Sequence, residues 1–140
     1  AKNLDQHESS LTYFQAYDNA VPGQPWVNYY RANALLELQR YPESLAAAQR
    51  EAELNPDCQF PLLVHRAAIA AGTGQLAELQ SLLNEILLIP LSSIDYLSLS
   101  GLEKVLATLW KASESLAEDD PLRVQVIDRL VASHLAPNPL

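Results

Sequence analysis

Three prolines, Pro22, Pro56 and Pro90, recur at intervals of 34 residues, and each closes a similar segment of helical character. The segments read YFQAYDNAVP, AAAQREAELNP and SLLNEILLIP. Proline ends helices because its ring removes a backbone donor and clashes with the preceding turn. A fixed period of this length is typical of tandem helical hairpins, in which each unit buries its apolar face only against its neighbours. We therefore expect an all-α array.

Apolar residues at helical spacing predict seven helices and no strand. Because the links between them are short, neighbouring helices are expected to pack antiparallel. The predicted helices span about 4–20, 26–38, 42–54, 60–71, 76–88, 94–117 and 122–135.

Capping and breaking residues support these boundaries. Pro25 suits the first turn of the second helix, and Gly72-Thr73-Gly74 forms a turn after the fourth. Ser92 or Ser93 is a candidate N-cap for the sixth helix. Asp120-Pro121 offers the last helix an N-cap followed by a first-turn proline.

The charge balance disfavours two classes of partner. The chain carries 17 acidic and nine basic residues, a net charge of −8, and the bases are scattered singly. Nucleic acids and anionic membranes attract clustered Lys and Arg, so neither is an expected partner.

Compartment and membrane signals are few. No stretch approaches the 20 or so apolar residues of a membrane span, and the start, AKNLDQHESS, lacks the apolar core of a secretory signal. Cys58 is the single cysteine and cannot form an internal disulfide. These features favour a cytoplasmic protein.

Residues 25–58, PWVNYYRANALLELQRYPESLAAAQREAELNPDC, carry a motif at specific positions. A small residue followed by Asn and Ala stands in the first helix, and an aromatic residue opens the second. The segment resembles a tetratricopeptide repeat, a 34-residue helix–turn–helix unit. The residues that carry this resemblance are Ala32-Asn33-Ala34-Leu35, Tyr41, Leu45, Ala48 and Glu53-Leu54-Asn55-Pro56-Asp57.

The resemblance extends more weakly to the rest of the chain. Residues 60–90 resemble a second repeat, with Arg66-Ala67 placed 35 residues after Arg31-Ala32. Residues 1–22 resemble the second helix of a preceding unit, which suggests that the chain begins inside a longer array. Residues 92–136 depart from the motif and are expected to form a degenerate capping pair that covers the fifth helix. The prediction is one tetratricopeptide-like solenoid domain.

Tetratricopeptide proteins use their first helices to line a concave surface that holds other proteins. The resemblance therefore implies a scaffold or adaptor that binds a peptide or protein segment, with association into homo-oligomers left open. Tyr and Trp are effective anchors at such surfaces. The implied groove residues are Trp26, Tyr29, Tyr30, Asn33, Leu36, Glu37, Val64, His65, Ala68 and Ala71. For any single aromatic residue among them, packing inside the array is an equal alternative.

A second reading assigns the array to a larger modular enzyme, such as a glycosyltransferase or methyltransferase. The repeats would then recruit substrate or mediate dimerisation, and the chemistry would lie outside these residues. Some family members grip a carboxylate tail with lysine and asparagine. Asn33 has no lysine beside it, so that mode is not expected.

No residue pattern indicates chemistry within the chain. Gly72-Thr73-Gly74 lacks the strand and the Gly-Lys-Ser/Thr of a phosphate loop. His7, His65 and His134 lie far apart and form no metal-binding motif with Cys58. We therefore expect no catalytic residues, no cofactor and no metal.

Two arginines recur at matching places in successive units. Arg31 and Arg66 are expected to pair with acids inside the array, such as Glu51 or Glu85. Binding of a ligand carboxylate is the alternative.

Overall fold

A computed structural model describes residues 4–89 and 99–128, and every regular element within them is helical. The expectation of an all-α protein is confirmed. The helices are α1 (Leu4–Ala20), α2 (Val27–Glu37), α3 (Tyr41–Leu54), α4 (Gln59–Gly72), α5 (Leu76–Leu88), α6 (Leu99–Ser113) and α7 (Pro121–Val126), with a 3₁₀ turn at Pro56–Cys58 before α4. The chain divides into two compact units, Ala1–Leu62 and Leu63–Leu140.

The predicted boundaries hold within a residue or two for α1 to α5. The candidate caps Ser92 and Ser93, the start of the predicted 94–117 helix and the end of the 122–135 helix lie outside the described residues. The sixth helix ends at Ser113, not at residue 117 as predicted. The amides of Glu114, Ser115 and Leu116 each bond to the carbonyl three residues back, so the chain leaves the helix through tight 3₁₀-type turns.

In the first unit α2 packs against both α1 and α3. Along α1, Arg31 lies near Asp18 and Arg40 near Glu8. Along α3, Ala32 bonds to Ser44 and Trp26 to Glu51, so both pairs are antiparallel, as predicted. The interior is built mostly from small side chains, which lets the backbones of α2 and α3 approach closely. Its members are Ala32, Leu35, Ala47, Ala48, Cys58 and Leu62, with Leu11, Trp26 and Tyr29 packed against them.

In the second unit α7 contacts both α5 and α6. The contact with α5 agrees with the expectation that a C-terminal helix covers that helix. Asp120 caps α7 as predicted, because its Oδ1 accepts a hydrogen bond from the amide of Leu122 at 2.9 Å. The predicted turn between α4 and α5 is also present, with Gly74 in the left-handed region at φ 72°.

Candidate partner-binding surface

The start of α2 is held by a carboxylate from α3. Glu51 is fully buried, and its Oε2 accepts a hydrogen bond from the amide of Trp26 at 2.8 Å. Its Oε1 accepts from the amides of Asn28 and Tyr29 at 3.1 and 3.2 Å. These are donors that a helix start leaves unpaired, and a negative charge also suits that end of the helix dipole. Glu51 thus acts as an N-cap supplied by a distant residue.

This cap sets the start of α2 at Val27, within one residue of the predicted start. Trp26 takes the N-cap position with φ 76°, a left-handed conformation that is uncommon outside glycine. Pro25 therefore stands before the helix and does not occupy its first turn. The bonds to Glu51 fix the backbone at the place from which Trp26, Tyr29 and Tyr30 project.

Aromatic rings form a continuous series across α1 and α2. Phe14 stacks on Tyr30 with ring centroids 5.5 Å apart and an interplanar angle of 26°. On one side Tyr13 contacts both Phe14 and Tyr17 at 5.4 and 6.4 Å. On the other side Tyr29 contacts both Tyr30 and Trp26 at 5.8 and 5.5 Å. Edge and offset contacts of this kind hold rings in fixed orientations.

Three members of this series are open to solvent. Tyr13 is 62% exposed, Tyr30 is 49% exposed and Tyr17 is 37% exposed, and Val21 beside them is also exposed. No other large hydrophobic residue among the described residues of the first unit is exposed to this degree. We call Tyr13, Tyr17 and Tyr30 the tyrosine surface.

The predicted groove residues differ widely in exposure. Tyr30 and Glu37 are exposed, whereas Val64 and His65, in the second unit, are only 1% and 2% exposed. The remaining members are partly buried: Trp26, Tyr29, Asn33, Leu36, Ala68 and Ala71.

Tyr29 belongs to the interior as well as to the ring series. It packs against the buried residues of the first unit and shares a side-chain hydrogen bond with Asn33. Burial raises the pKa of Tyr29 to about 12, although the bond to Asn33 acts in the opposite direction. Tyr29 is therefore held by the interior, and its ring packs against that of Tyr30.

Sequence reasoning omitted Tyr13 and Tyr17 from the site. Tyr17 falls on the apolar stripe of Leu11, Phe14, Tyr17 and Val21, and no partner contact was expected for it. Tyr13 directly precedes Phe14 and so lies about 100° around the helix from it, off that stripe. That offset is the signal that could have identified Tyr13.

The predicted arginine pairs are wrong in their partners. Arg31 lies 3.8 Å from Asp18 on α1 and donates a hydrogen bond to Oδ1 of Asn28 at 2.8 Å. Arg66 lies 3.6 Å from Glu78. Glu51 is committed to backbone amides and so is not the partner of Arg31. The structural role that was expected for both arginines still describes their contacts.

A polar cleft of about 520 Å³ lies along another flank of α1. Its charged side chains already have partners, because Arg40 pairs with both Glu43 and Glu8 and Arg31 pairs with Asp18. The cleft offers a ligand little unmet charge, so the tyrosine surface is the stronger candidate site. The other lining residues are Leu11, Thr12, Gln15, Ala16, Asn19 and Leu35.

Burial of His65 predicts an acid-sensitive stability. Burial lowers the pKa of His65 from 6.5 to about 4, so the folded protein binds the proton less readily than the unfolded chain. The stabilisation is present above pH 6.5 and is lost as the pH falls towards 4, by about 3 kcal/mol. Urea unfolding at pH 7 and pH 4 measures the loss, and H65Q should show a loss smaller by about that amount. An equal loss in both chains would contradict the assignment.

The environment of Cys58 makes its thiol unreactive. Its thiol is buried, and burial followed by the nearby charge of Glu51 raises its pKa to about 12. A thiol that stays protonated is a poor nucleophile and a poor metal ligand. The described residues contain no group of three His, Cys, Asp or Glu side chains able to hold a metal ion.

Within residues 4–89 and 99–128, no helix is both long and apolar enough to cross a membrane. Comparison with known proteins yields no matching family model, no matching curated protein and no matching solved structure.

Proposed function

We propose that this chain is a tetratricopeptide-like interaction module that holds a peptide or protein segment on the tyrosine surface. The observation that carries the proposal is the grouping of Tyr13, Tyr17 and Tyr30 as exposed rings. Large exposed hydrophobic residues that lie together are a recognised mark of interaction sites. Tyrosine suits the role because one side chain brings apolar area and a hydroxyl group.

The way the rings are supported strengthens the proposal. Tyr30 lies against Phe14 on one side and Tyr29 on the other. A side chain that is already oriented loses less conformational freedom when a partner covers it, so more of the contact energy appears as affinity. Rings ordered in this way are typical of anchor residues.

The helical pairing supports the repeat-like part of the proposal. In the α2–α3 pair, the Ser44 hydroxyl donates to the carbonyl oxygen of Ala32 at 2.7 Å, and Glu51 binds the start of α2. These bonds join the two antiparallel helices at two positions, one near the middle of α2 and one at its start. A stacked hairpin array needs this kind of unit, with a small-residue contact inside and a helix face left outside.

Loss of two exposed rings is the direct test. We expect the double variant Y13A/Y30A to bind about 30-fold more weakly than the wild type, because truncation of an aromatic anchor typically costs about 2 kcal/mol or more. The measurement is fluorescence anisotropy with peptides selected on the wild-type protein from a random 12-residue library. Circular dichroism should show unchanged helicity, since neither ring is part of the buried interior.

W110A provides a matched control, because Trp110 of the second unit is 44% exposed. It should bind the same peptides as well as the wild type does. Equal affinity of the wild type and the double variant for every selected peptide would refute the proposal. Tyr29 is not suited to this test, since its truncation would disturb the interior.

A further inference from the structure

We infer that the segment held on the tyrosine surface is basic: an extended peptide that places an apolar or aromatic side chain on Tyr30 and, about three residues away, a lysine or arginine beside Glu37. This inference rests on the proposed function and specifies the partner's chemistry. It depends on the charges of the first unit and on the position of Glu37.

The first unit has a strong excess of negative charge. Residues 4–62 contain eight acidic and three basic residues. All three bases are engaged within the unit: Arg31 and Arg50 lie close to Asp18, and Arg40 pairs with Glu43 and Glu8. A phosphate or carboxylate on the ligand would therefore meet a negative field with no unengaged arginine to bind it.

Glu37 places one of these negative charges on the exposed face of α2. Tyr30, Asn33 and Glu37 follow the i, i+3, i+7 spacing that aligns residues along one face of a helix. Glu37 is exposed, and the described residues give it no ion-pair partner. A cation bound there would give this carboxylate an ion-pair partner.

The distance between the two positions sets the spacing in the ligand. Seven residues of α-helix separate Tyr30 from Glu37, which is about 10 Å at 1.5 Å per residue. An extended peptide covers about 10 Å in three residues, at 3.3 Å each.

Three synthetic peptide libraries test the inference. Each has a fixed tyrosine in a 12-residue random sequence, followed three residues later by lysine, glutamate or glutamine. We expect the wild-type protein to bind the lysine library about twofold to fivefold more tightly than the glutamine library, and the glutamate library most weakly. The lysine preference should shrink at high salt, since the carboxylate is exposed.

Charge reversal on the protein gives the sharper result. E37K should reverse the order of the lysine and glutamate libraries. E53K is the matched control, because Glu53 is exposed on α3, opposite the buried stripe of that helix, and it should leave the order unchanged.

The outcomes separate this inference from the proposed function. Binding that depends on Tyr13 and Tyr30 but ranks the three libraries equally, or keeps its order in E37K, would overturn the basic-peptide inference alone. Binding of all three libraries that is indifferent to loss of both tyrosines would overturn the proposed function and this inference with it.

Discussion

Replacement of Glu51 by alanine is expected to lower the free energy of unfolding by about 4 kcal/mol, because three backbone amides lose their acceptor at once. Each unsatisfied buried donor costs about 1–3 kcal/mol, and the sum is reduced where water reaches the freed amides. Glu51 is fully buried and its carboxylate contacts the amides of Trp26, Asn28 and Tyr29. The start of α2 would also lose the charge that favours its dipole.

Two further variants separate the cap from the helix that carries it. E51Q keeps an oxygen acceptor but not the negative charge, so we expect a loss of about 2 kcal/mol, since hydrogen bonds to charged groups are the stronger kind. E53A, two residues further along α3 and exposed, should change stability by less than about 0.5 kcal/mol. Urea unfolding followed by circular dichroism measures all three variants. Equal stability of E51A and E53A would show that the cap does not stabilise the fold.

Replacement of Leu35 by alanine is expected to cost about 4 kcal/mol. Leu35 is nearly inaccessible and lies in the interior of the first unit, beside Ala32 and Ala48. Buried leucine-to-alanine changes cost about 2–5 kcal/mol, and the cost is highest where the surroundings cannot collapse into the cavity. The neighbours here are small alanines on backbones that already pack closely, so little side-chain movement is available to fill the space.

The adjacent residue provides the control for this prediction. Leu36 is only partly buried on the neighbouring face of α2, so L36A should cost about 1 kcal/mol. Both variants replace leucine by alanine, one position apart in the same helix, so the change in helix propensity is the same in both. Thermal unfolding monitored at 222 nm compares them. A larger loss in L36A than in L35A would mean that α2 presents a different face to the interior.

The helices were predictable because their signals are local. The apolar spacing that predicts α5 and the pair Asp120-Pro121 before α7 act within a few residues, and both helices begin where predicted. The Glu51 cap at the start of α2 was not predictable in the same way. It depends on a carboxylate that lies 25 residues away along the chain, and only the packing of α3 brings it to Trp26.

The candidate site also combines features that are local in the sequence with features that depend on packing. The aromatic character of α2 is visible in the sequence, and Tyr30 was named from it. Packing decides which rings face outward. Tyr29 packs against the interior, while Tyr13, on a helix from which no site residue was predicted, is the most exposed ring of the series. The arginine partners depend on packing too, because Asp18 reaches Arg31 only when α1 lies against α2.

The bond from Glu51 to the start of α2 also governs how the first unit comes apart. Two antiparallel helices joined by a short link normally separate first at the end opposite the link, because no bond joins the two helices there. Here that end is fastened by a side chain from one helix to the backbone of the other. Fraying from the open end is thereby suppressed, and α2 and α3 should separate together in a single cooperative step.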